Sequence, residues 1–150
     1  MLRISAPLVA LFLSLSAPGL ALGATSKTMP MNAESMKLTG EVIDTWCYLS
    51  GIMYAEGTAH HQCAIWCAAG GVPVGLLSEA GDVYFIVEFE GRSDTLADPG
   101  LLEIQTHKIT VDGEVYERDG LKYLAVNKIL ADEGIVNMTH EEYGIQPFGE

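Results

Sequence analysis

Two long alternating runs constrain this chain most. H-K-I-T-V-D-G-E-V-Y-E-R, at 107–118, and L-K-Y-L-A-V-N-K-I-L, at 121–130, are separated only by Asp119-Gly120. Aspartate followed by glycine accepts the positive backbone angles of a tight two-residue turn, so the pair reads as a β-hairpin. Ile109, Val111 and Val115 fall on one face of the first run. Gly113, in its middle, marks a bulge or a barrel corner, because a strand interior otherwise disfavours glycine.

The rest of the chain supplies three more strands. K-L-T-G-E-V-I-D-T-W-C-Y-L, at 37–49, is rich in β-branched and aromatic residues. Alternation along it puts Ile43, Thr45 and Cys47 on one face and Val42, Asp44, Trp46 and Tyr48 on the other. P-V-G-L-L and V-Y-F-I-V-E-F flank the turn S-E-A-G-D and form a second hairpin. Between the first strand and this hairpin, Ala59 to Gly71 reads as a helix, capped by Thr58 and stopped at Gly70-Gly71. The segment S-D-T-L-A-D-P-G-L-L connects the two hairpins.

G-E-V-I-D at the start and K-I-T-V-D-G-E-V-Y…L-K-Y-L-A-V-N-K-I near the end resemble an OB-fold. The fold class expected is therefore mainly β, a small five-stranded OB-like barrel with a short helix inserted after the first strand. The domain spans 37–131, between a flexible lead-in at 24–36 and an acidic C-terminal tail at 132–150. With C-A-I-W-C-A following a histidine, the chain also resembles small secreted bacterial OB-like proteins of uncharacterised function.

The first residues suggest a destination. Met1-Leu2-Arg3, an apolar run and the small-residue exit Ala21-Leu22-Gly23 read as a signal peptide over 1–23. The expectation is an exported protein, periplasmic or extracellular, with no stable membrane insertion once the signal is cleaved. About 127 residues would remain, enough to bury around two-thirds of the unfolded surface. Such a domain does not need disulfides to fold, so the cysteines call for another explanation.

Charge narrows the partners. Twenty acidic residues against eight basic ones give a net charge of −12. That surface repels phosphate backbones, which argues against nucleic acid, and favours a metal cation or a basic periplasmic protein. No G-x-S-x-G and no phosphate-cradling glycine loop is present, so an enzyme is the weaker reading. A catalytic pair of Cys63 or Cys67 with His61 is conceivable, but neighbouring thiols compete with it.

The chemistry concentrates in A-H-H-Q-C-A-I-W-C-A-A-G-G, at 59–71, which holds two of the three cysteines and two of the four histidines. At about 100° per residue, Cys63 and Cys67 lie roughly 60° and 20° around the helix from His60, on one face. Cys47 offers a third sulfur from the preceding strand. Cys47, His60, Cys63 and Cys67 thus form a candidate metal site, a Cys3His set of the kind that holds zinc or, being soft, copper. His61 is a reserve ligand and Asp44 a group that could orient an imidazole. Strand parity points Asp44 away from Cys47.

Two alternatives stay open beside it. One is a disulfide-stapled periplasmic interaction domain with one buried thiol, and the other is inert core cysteines. Met29, Met31 and Met36 add a thioether bias to the lead-in. C-x3-C resembles the copper motif of the thioredoxin-fold chaperones that assemble cytochrome oxidase, and the ligand loop of that oxidase's binuclear copper centre. Position 71 is glycine where the latter has histidine, and the thioredoxin strand order is absent. A haem carrier is a third option. His140-Glu141-Glu142-Tyr143 is similar to the H-x3-Y of the OB-fold haem chaperone, one residue short. His107 has no evident partner and reads as surface.

Overall fold

The computed structural model describes residues 32–146. The signal peptide at 1–23, and Met29 and Met31 in the lead-in, lie outside the described residues. Among the described residues no helix is long and apolar enough to cross a membrane.

Five strands close into a barrel: β1 (Glu34–Asp44), β2 (Val74–Ser78), β3 (Val83–Phe89), β4 (Lys108–Arg118) and β5 (Leu121–Asp132). Neighbours run β1-β2-β3-β5-β4, and β4 returns to β1. All pairings are antiparallel except β3 with β5. Closure leaves no unpaired edge along the sheet, which removes the main aggregation hazard of a small β protein. The OB-like barrel expected from the two hairpins is the fold observed.

The turn and the corner form for the reasons the sequence gives. Asp119 and Gly120 adopt φ 53° and 79°, the left-handed pair that a tight hairpin requires. At Gly113 the β4–β5 register shifts, and a Cβ there would sit 2.5 Å from the Ala125 carbonyl oxygen. The bend lets β4 pair with β1 on one side and β5 on the other.

Inside the barrel Val42, Val74, Leu76, Ile86, Ile109, Val111, Leu124 and Val126 form one apolar cluster, with Leu101 and Ile104 closing one end. Leu101 lies on α3 (Pro99–Glu103), whose cap is Asp98. Asp98 accepts hydrogen bonds from the Gly100 and Leu101 amides and is paired with Arg92.

Three features differ from expectation. β1 begins at Glu34, inside the segment read as lead-in, and ends at Asp44 rather than near residue 49. Thr45–Ser50 is a short helix, α1. Asp44 causes the change: its Oδ1 accepts the Cys47 amide at 2.8 Å and caps α1. The first connection therefore holds two helices, α1 and α2 (Gly57–Ala69). Thr58 does not cap α2 and lies within it. The acidic tail also contains regular structure. β5 runs to Asp132, and Thr139–Tyr143 forms a short helix, α4, packed on α2.

Candidate metal centre

The site lies where β1 leaves the barrel. Because Asp44 ends the strand and starts α1, the chain turns and carries the Cys47 sulfur back toward α2. Strand parity placed Asp44 and Cys47 on opposite faces; it does not apply here, since the strand has already ended at Asp44. From α2, His60, Cys63 and Cys67 project on the face that the 3.6-residue period predicts.

The Cys67 sulfur stands 3.9 Å from that of Cys47 and 4.0 Å from that of Cys63. Ligand atoms of Cys47, His60 and Cys63 all lie within 4.8 Å of one another, as do those of Asp44, Cys47 and Cys67. This cluster can hold a metal ion. The three cysteines are free, and their sulfurs are well beyond the bond length of about 2.05 Å. The disulfide staple entertained as an alternative is not formed. Cys47 is buried, whereas Cys63 and Cys67 are each partly open to solvent.

His60 and Asp44 are both fully buried and form an ion pair, Nε2 to Oδ2 at 2.6 Å. The other ring nitrogen, Nδ1, donates to the Met53 carbonyl at 2.5 Å. A carbonyl only accepts, so Nδ1 carries a hydrogen and Nε2 is the nitrogen that faces the carboxylate. Asp44 thus hydrogen-bonds the imidazole, by a route that strand parity could not show.

Burial alone would raise the Asp44 pKa. Hydrogen bonds from His60 and the Cys47 amide outweigh it and hold the carboxyl below its usual value. The thiols move the other way. Burial and the Asp44 charge push Cys47 far up, and burial together with Cys67 pushes Cys63 up. Without a metal, the Cys47 and Cys63 sulfurs are protonated at neutral pH, so a cation that binds them must displace protons.

The Met53 carbonyl reaches His60 through unusual backbone. Met53, Tyr54 and Ala55 have φ 57°, 65° and 63°, three non-glycine residues in succession in the left-handed region. L-residues visit this region singly and at a cost, so surrounding structure must hold the run in place. It does so from several sides. Glu41, on β1, accepts the Gly57 amide at 2.6 Å and Asn137 Nδ2 at 3.2 Å. Thr139 accepts the Ala59 amide and donates to the Glu56 carbonyl. Tyr54 packs against Tyr143 with tilted rings, centroids 4.6 Å apart. Sequence reasoning missed Glu41, Met53 and Thr139. Gly51 and Gly57 bracket the turn, but nothing in Met-Tyr-Ala signals left-handed backbone.

Other expected residues sit elsewhere. His61 turns away from the sulfurs: its Nδ1 bonds the Gln105 carbonyl and the Thr106 hydroxyl, and its ring stacks on His107 at 6.4 Å. His107, read as lacking a partner, donates to both Asp132 oxygens at 3.0 Å. His140 bonds the Thr58 hydroxyl at 2.5 Å, and Tyr143 is the ring packed against Tyr54, so both residues of the haem-carrier reading serve to fasten α4 to α2 and its approach. Met36 lies on β1, paired with Gly113 of β4.

The chain matches no family model, no curated protein and no solved structure.

Proposed function

We propose that this is an exported soft-metal-binding protein in which Cys47, Cys63 and Cys67, beside the His60–Asp44 pair, hold one zinc or copper ion. The observation that carries the reading is the approach of three sulfurs from two separate segments, with Cys67 within 4.0 Å of both others. A metal–sulfur bond of about 2.3 Å separates ligand sulfurs by about 3.8–4.0 Å. Thiolates favour soft cations over calcium or magnesium, which take oxygen. Export rests on the composition of residues 1–23.

A carrier is better supported than a structural plug. The apolar cluster that closes the barrel contains no cysteine. Two of the three cysteines are partly exposed, which suits ligand exchange with a basic partner protein drawn to the acidic surface.

Elemental analysis of chelator-free protein, paired with thiol counting by alkylation and mass spectrometry, tests the reading. About one equivalent of zinc or copper is expected, with three thiols modified after metal removal. Less than a tenth of an equivalent, with one bridge and one thiol, would leave an interaction domain instead.

A further inference from the structure

Resting on the soft-metal reading, we infer that the centre is a three-sulfur site for copper(I), in which His60 stays on Asp44 and does not bind the ion. Both ring nitrogens of His60 are already engaged, Nδ1 with the Met53 carbonyl at 2.5 Å and Nε2 with Asp44 at 2.6 Å. To bind a metal through Nε2, His60 must give up its partner and leave the Asp44 carboxylate, fully buried, without the hydrogen bond that satisfies it. Breaking a buried pair from one side is among the costlier changes a protein interior can undergo. To bind through Nδ1, it must release the carbonyl that the left-handed run Met53–Ala55 is bent to present.

Asp44 is no better as a fourth donor. One oxygen faces His60 and the other takes the Cys47 amide that starts α1. Its oxygens are also hard donors, poorly matched to a soft ion.

That leaves three sulfurs, and their spacing suits a trigonal arrangement. With bonds of about 2.3 Å, sulfurs around a tetrahedral ion stand about 3.8 Å apart and around a trigonal one about 4.0 Å. The two sides that meet at Cys67 are 3.9 and 4.0 Å, and the third is no longer than 4.8 Å. Zinc in closed sites takes four ligands, whereas a soft monovalent ion is satisfied by fewer thiolates. On binding, each of the three thiols gives up its proton to solvent and forms one copper–sulfur bond. The copper stays monovalent and no electron moves. The His60–Asp44 hydrogen bond is kept.

X-ray absorption on the full chain, loaded anaerobically with one equivalent of copper(I), reads the coordination directly and needs no variant. Three sulfur neighbours and no nitrogen or oxygen are expected. Competition against a chromophoric copper(I) chelator gives affinities: Cys47→Ser, Cys63→Ser and Cys67→Ser should each lose at least a hundredfold. A nitrogen or oxygen neighbour in the parent protein, or a loss below about tenfold in any of the three serine variants, would overturn the inference. Tight zinc binding through three sulfurs and one imidazole, with weaker copper(I) binding, would overturn it while leaving the soft-metal reading intact. Failure to bind either ion would end both.

Discussion

The barrel and the helical connection at 45–69 are held together in different ways. The barrel uses closed strand pairing and an apolar interior, to which the connection contributes only Ala68. The connection uses buried polar contacts: Asp44 on the Cys47 amide, His60 on Asp44 and Met53, Glu41 on Gly57 and Thr139 on Ala59. Apolar packing tolerates shape-conserving exchange, whereas a buried polar contact fails when either partner is lost. The contrast implies that stability resides in one region and the proposed metal chemistry in the other, and that each can be disturbed while the other is kept.

The largest effect separates them from the barrel side. Leu124→Ala empties a fully buried position and should cost about 2–5 kcal/mol in denaturant unfolding, with metal stoichiometry unchanged in the folded fraction. From the other side, Cys47→Ser should abolish tight metal binding in a titration, yet cost the metal-free protein only about 1 kcal/mol. If it unfolds the barrel, the two regions are not separable. Thr139→Val tests the fastening between them. It strips the Ala59 amide and the Glu56 carbonyl of their partner and should cost about 1–3 kcal/mol, with metal affinity falling severalfold and Thr139→Ser restoring both.

The smallest effect is one of pH. The Arg92 guanidinium, with help from the Leu101 and Gly100 amides, holds Asp98 below the usual carboxylate value. The unfolded state then binds the proton more readily, so this contribution is complete above the unfolded value of about 3.9 and fades as pH falls through the lower folded value. Asp98→Asn should flatten that part of a melting-temperature profile and leave metal affinity at neutral pH untouched.

The same contrast explains what the sequence made legible. Alternation in β4 and β5, the Asp119-Gly120 turn and the Gly113 corner follow from short-range rules, and the barrel built from them could be read directly. Cys63, Cys67 and His60 share a face because the helix period says so. The end of β1 could not be read, because T-W-C-Y-L has strand composition and only the cap from Asp44 turns it into helix. Glu41, Met53 and Thr139 were invisible for a related reason. Their partners lie 16, 7 and 80 residues away, and local pattern carries no trace of such pairs.

Trp46 precedes Cys47 and Trp66 precedes Cys67, and both side chains are largely exposed, at 64 % and 63 %. The chain has no other tryptophan. Its entire indole emission therefore originates on α1 and α2, one residue along the chain from two of the cysteines, and none comes from the barrel interior. Ordinary fluorescence becomes a built-in gauge of what happens at that corner, with no dye or label attached.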